Sequence, residues 1–63
     1  AKLLLIDDVL ATGGTIAAAI EVIKRLGGEV IHVLALLEIE GLPGRARLNE
    51  KYPEIPVTSL VVS

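Results

Sequence analysis

Cysteine, methionine, tryptophan and phenylalanine are all missing from the chain, Tyr52 is its single aromatic residue, and His32 is its single histidine. Without cysteine there is no disulfide scaffold, no thiol nucleophile, no redox centre and no Cys/His zinc finger. One aromatic ring cannot build a stacking platform for single-stranded nucleic acid or an aromatic belt at a membrane surface. Positive charge is also scarce: six Lys and Arg stand against eight Asp and Glu, for a net charge of −2. The basic residues are scattered and the isoelectric point is near 5.2, so no electrostatic footprint for nucleic acid exists. No apolar run reaches the roughly 18 residues that span a bilayer, and no signal-peptide pattern opens the chain. A soluble, cytoplasmic setting is expected, with neither nucleic acid nor membrane as partner.

Aliphatic residues fill the gap. Hydrophobic side chains make up 52% of the 63 residues, and mean hydropathy is +0.69, values that exclude a disordered segment. That length allows one domain over residues 1–63, with a single small core. Ala1 leads directly into an apolar run with no initiator methionine, turn or cap, which reads as a piece cut from a larger protein or a design based on one.

The pattern along the chain predicts an α/β fold. Lys2 to Ile6 is a short apolar run closed by Asp7 and Asp8, as in a strand covered on both faces. From Thr15, the apolar positions Ile16, Ala19, Ile20, Ile23 and Leu26 recur at helical spacing, with Glu21, Lys24 and Arg25 opposite. Thr15, or Thr12 acting across the glycines, is expected to cap the helix start, and Gly27-Gly28 to supply positive φ at its end. Glu29 to Ile39 is a second strand, giving a right-handed βαβ unit with parallel strands. Gly44 to Tyr52 suits a short helix stopped by Pro53 and Pro56, and Val57 to Val62 a third strand. The result is a small three-stranded, mainly parallel sheet. One long and one short helix cannot cover both of its faces, so self-association as a homo-oligomer is expected.

Chemistry concentrates in Asp7-Asp8-Val9-Leu10-Ala11-Thr12-Gly13-Gly14-Thr15, at the carboxyl end of a parallel strand, where open α/β sheets bind ligands. The start of the following helix offers free amides and about half a positive charge, which suits a phosphate dianion. Gly13 and Gly14 allow close backbone approach, and the Thr12 and Thr15 hydroxyls can donate to phosphate oxygens. Two adjacent carboxylates repel phosphate, so Asp7 and Asp8 are expected to face hydroxyls instead, as in a ribose 5-phosphate. A Mg²⁺ ion bridging the diol is compatible with their oxygens.

The stretch L-L-L-I-D-D-V-L-A-T-G-G-T resembles the phosphoribosyl pyrophosphate signature of the type I phosphoribosyltransferases. The A-A-A-I-E helix, the L-L-E-I-E strand end, the L-P-G-R-A-R-L stretch and the P-V-T-S-L-V-V tail resemble the carboxyl-terminal third of the adenine-specific branch, so the likeness spans essentially the whole chain. The resemblance implies a Rossmann-like core and places the ribose hydroxyls on Asp7 and Asp8. It places the 5-phosphate on Ala11, Thr12, Gly13, Gly14 and Thr15, and the purine near Ile39. Relatives acting on hypoxanthine and guanine carry an acidic residue where Ala11 stands, which favours the adenine branch. Phosphoribosyl pyrophosphate, ribose 5-phosphate or adenosine monophosphate are the implied ligands, and Mg²⁺ the implied companion of the first. The family's base-binding hood, pyrophosphate loop and catalytic loop lie upstream of the signature and have no counterpart here, so no catalytic residue is assigned and no turnover is expected. Two other readings remain open: a self-associating α/β module with a vestigial loop, and a sensor of phosphoribosyl pyrophosphate.

Other residues draw simpler expectations. His32 is read as a packing or surface residue, Arg45 and Arg47 as a solvated face, Glu38 and Glu40 as weak candidates for a general base, and Tyr52 as a cap over the core.

Overall fold

A computed structural model describes all 63 residues. Strand β1 (Lys2–Leu10) leads into helix α1 (Gly14–Arg25), strand β2 (Glu29–Glu38), helix α2 (Gly44–Lys51) and strand β3 (Val57–Val62). The sheet order is β1-β2-β3, and both pairings are parallel. Each connection therefore carries a helix, because parallel neighbours cannot be joined by a tight turn.

The core is the space between the sheet and one helical layer. Ile16 and Ile20 of α1 meet Leu10, Val30, Val33 and Ala35 of the strands, while Leu48, Tyr52 and Ile55 close the side beneath α2. Ile16 and Ile20 lie one turn apart and are buried, as the helical spacing requires, but Leu26 lies beyond the last turn and is exposed. Val30 and Val33 are both buried although they are three positions apart. A register shift between Leu3 and Leu4 leaves Ile31 unpaired in β2, a bulge that turns both valines to the core.

The opposite face of the sheet carries no helix. Leu4 and Ile6 of β1, Leu36 of β2 and Leu60 of β3 alternate onto it, with exposures of 53, 57, 46 and 64%. On this face His32 and Thr58 are joined across β2 and β3 by a 2.7 Å hydrogen bond, which gives His32 a structural partner.

Several local expectations need correction. β1 does not end at Ile6 but runs on to Leu10, since pairing with β2 continues through Asp7, Val9 and Leu10. No threonine side chain caps α1: its N-cap is Gly13, at φ 84°. At the other end only Gly27 has positive φ. The Gly27 and Gly28 amides close a Schellman turn onto the Lys24 and Ile23 carbonyls. Gly28 is instead required by packing, as a Cβ there would lie 2.8 Å from Ile23 Cγ2.

Tyr52 does cap the core, being 3% exposed, and its hydroxyl donates to the Glu21 carboxylate. That bond, helped by Lys51, Lys24 and Arg25, holds Glu21 below the usual carboxylate range. Burial, and then Glu21, pushes the phenol from 10.0 up to about 12. A folded value above the unfolded one contributes stability that is complete below pH 10 and is lost as pH rises from 10 towards 12. Tyr52→Phe should therefore melt at a lower temperature at pH 7 but lose less on going to pH 11 than the parent does. Thermal melts followed by circular dichroism at both pH values test this, and equal alkaline losses would contradict it.

Candidate functional site

The strands are parallel, so their carboxyl ends gather at one end of the sheet, and the β1–α1 junction opens there. The Ile39 amide donates to the Leu10 carbonyl at 3.0 Å, and the Glu40 amide to the Ser63 carbonyl at 2.6 Å. Ile39, half-buried, thus stands beside the end of β1, next to the loop.

The loop takes its shape from Gly13. At φ 84° the chain reverses into α1 with a backbone conformation that side chains rarely adopt. Gly13 and Gly44 are both buried and lie against each other: a Cβ on Gly13 would sit 3.0 Å from the Gly44 carbonyl oxygen. The Gly44 amide in turn donates to the Ala11 carbonyl at 3.0 Å. The start of α2 is therefore the platform on which the loop rests. Gly14, by contrast, is helical and has room for a Cβ, 3.8 Å from Thr12 Oγ1.

With Gly13 as N-cap and no capping side chain, the leading amides of α1 have no partner inside the helix. They border a hollow of about 50 Å³ lined by Val9, Ala11, Thr12, Gly13, Gly14, Thr15 and Ile16. The Thr12 and Thr15 side chains are exposed and carry the only hydroxyls of that lining. Five of the residues singled out in the sequence, Ala11 to Thr15, are thus brought together around one concavity.

Asp7 and Asp8 are arranged differently. They lie within β1, where successive side chains point to opposite sides of the strand, and Asp7 is half-buried while Asp8 is exposed. Asp7 Oδ1 accepts the Asp8 amide at 2.9 Å, leaving Oδ2 and both Asp8 oxygens without a protein partner.

Glu38 is not free to act as a base. Arg45 donates to its carboxylate from Nε at 3.1 and 3.2 Å and from Nη2 at 2.8 Å, and Ser59 Oγ donates at 2.7 Å. These bonds, Arg45 first and Ser59 second, hold the Glu38 carboxyl below the usual range. Arg45 also donates to the Val57 carbonyl at 2.7 Å, so although its side chain stays partly exposed it straps α2 to β2 and β3 and is not a free surface charge. Opposite charges at Glu38 and Arg45 were visible in the sequence, but their meeting depends on how α2 crosses the sheet. Arg47 is exposed, as expected.

A family model described as uracil phosphoribosyltransferase matches residues 1–63. The chain is 51% identical over 59 residues to the adenine phosphoribosyltransferase of Desulforamulus reducens, a match covering 94% of this chain and 34% of that protein. Among solved structures, adenine phosphoribosyltransferase from Leishmania tarentolae superposes with a TM-score of 0.90 at 30% identity, over 100% of this chain and 31% of that one. The Trypanosoma brucei adenine phosphoribosyl transferase, in complex with AMP, pyrophosphate and ribose-5-phosphate, superposes with a TM-score of 0.84 at 30% identity, over 98% of this chain and 28% of that one. The chain thus spans about a third of the length of these relatives.

Proposed function

The chain belongs to the phosphoribosyltransferase family, and we propose that it binds the ribose 5-phosphate portion of phosphoribosyl pyrophosphate or of adenosine monophosphate. The observation that carries this reading is the concavity at the β1–α1 junction, where free amides, two exposed hydroxyls and a left-handed glycine converge at the carboxyl end of a parallel strand. The 5-phosphate lies against Ala11, Thr12, Gly13, Gly14 and Thr15, accepting bonds from the leading amides and from the two threonines. The ribose hydroxyls donate to Asp8 and to Asp7 Oδ2, and an adenine ring extends towards Ile39.

These roles are supported by the chemistry of the donors. Amides and hydroxyls suit an anion, whereas carboxylates suit only groups that can donate, so the two ends of the segment select the two ends of a sugar phosphate. No cluster of three or more His, Asp or Glu side chains forms. Mg²⁺ typically keeps several waters and binds through one or two carboxylates plus substrate phosphates. Asp7 and Asp8 therefore fit such an ion only as it arrives with phosphoribosyl pyrophosphate, where it would neutralise pyrophosphate charge. The proposed role is binding and orientation, with no turnover by these 63 residues alone.

Titration with ribose 5-phosphate, followed by amide chemical shifts and paired with a mass measurement, tests the reading. Shifts should concentrate on residues 7–15, and Asp8→Ala and Thr15→Ala should each weaken binding at least several-fold while leaving the melting temperature nearly unchanged. A spectrum indifferent to the ligand would overturn it. The bare aliphatic face of Leu4, Ile6, Leu36 and Leu60 supports a second reading. An oligomer that ignores ribose 5-phosphate would leave that one, a self-associating α/β module with a vestigial loop.

A further inference from the structure

A phosphate dianion beside two carboxylates, on a chain of net charge −2, is bound more tightly where a cation adds to the helix amides, and Val9 to Ile16 contains no charged side chain. The fold removes most of the six basic residues from consideration. Lys2 opens β1 at the end of the sheet away from the loop. Lys24 and Arg25 close α1, about 15 Å along its axis from Gly14, beyond the Debye length of about 8 Å at physiological salt. Arg45 is neutralised by Glu38 in the only ion pair of the structure. Lys51, at the far end of α2, has its ammonium 5.5 Å from the centroid of the Tyr52 ring, which holds it over the aromatic face.

Arg47 remains. It follows by three residues the point where Gly44 touches the loop, about 4.5 Å further along α2, and it is exposed and unpaired. A second hollow, about 180 Å³, is walled by Thr12, Gly13, Gly14 and Ala17 on one side and by Arg47, Leu48 and Lys51 on the other. It shares the Thr12–Gly14 segment with the concavity already described. We propose that Arg47 is a positioning residue whose guanidinium draws the phosphate of the ligand onto the loop, acting by its charge from the α2 side. Glu50, on the same helix, is the nearest group of opposite sign in sequence and weakens this field without pairing with Arg47.

The inference rests on the binding reading above, and one series of titrations separates the two. With ribose 5-phosphate at 20 to 300 mM salt, Arg47→Gln should lower affinity roughly three- to tenfold at the low-salt end, converging on the parent at the high-salt end as the charge is screened. Arg47→Lys should retain most of the affinity, and Arg25→Gln, about 15 Å further off, should lose clearly less than Arg47→Gln at the low-salt end and match the parent at physiological salt. A merely structural role for Arg47 would give a loss that salt does not alter. Arg47→Gln binding as tightly as a parent that does bind, or Arg47→Lys falling as far as Arg47→Gln, would overturn this proposal alone. A parent with no affinity at any salt concentration overturns the binding reading and this one with it.

Discussion

Ile20→Ala should remove a large share of the chain's stability. Ile20 is 1% exposed, in the one cluster where α1 meets Val30 and Val33 of the central strand. Truncating such a side chain costs about 2–5 kcal/mol, the lost transfer energy plus the cavity left behind. At about 0.05–0.15 kcal/mol per residue, a chain of this length has on the order of 3–9 kcal/mol in total. There is no second core to share the loss. The melting temperature read by circular dichroism should fall by roughly ten degrees or more, whereas Ile20→Val, costing about 0.5–1.5 kcal/mol, should stay folded. An alanine variant that melts within a few degrees of the parent would mean that α1 is not held by this cluster.

Gly44→Val should damage both the fold and the loop. A side chain at Gly44 would overlap the Ala11 carbonyl oxygen, which is backbone, and approach to 2.9 Å the Leu10 Cδ1 methyl, which is packed in the core with Leu10 1% exposed. Either α2 withdraws, opening the packing around Leu48, or Ala11 moves and carries the Gly13 turn with it. Overpacking of this kind costs typically 1–3 kcal/mol and more where backbone must shift. Affinity for ribose 5-phosphate should drop by more than tenfold, with a lower melting temperature. Gly14→Ala is the matched control: a Cβ there meets nothing closer than 3.8 Å, so its melting temperature should hold. Parent-like melting and binding of Gly44→Val would show that the loop does not rest on α2.

How much of this was legible beforehand varies along the chain. β3 was bounded correctly at Val57 and Val62, since Pro56 blocks extension on one side and the aliphatic run marks the rest. The reach of β1 through Asp7 and Asp8 was not, because two carboxylates signal a strand end, whereas the backbone pairing with Ala35, Leu37 and Glu38 continues regardless of side-chain polarity. The bulge at Ile31 is equally invisible in a run of aliphatic residues that satisfies either register. Threonine at the start of α1 suggested a side-chain cap, but the φ of Gly13 turns the chain so that the amides stay open.

The sequence by itself determined the alternation of strands and helices, the parallel sheet that follows from it, and the grouping of Ala11 to Thr15 at one strand end. These are local matters, settled by periodicity and by the few residues that permit a turn. Only the tertiary structure decided that Gly44 supports Gly13, that Glu38 is taken by Arg45 and Ser59, and that Arg47 lines a hollow shared with the loop. Each of these depends on where α2 lies across the sheet, and its position follows from burying Leu48, Tyr52 and Ile55 together, a packing no short stretch of sequence encodes.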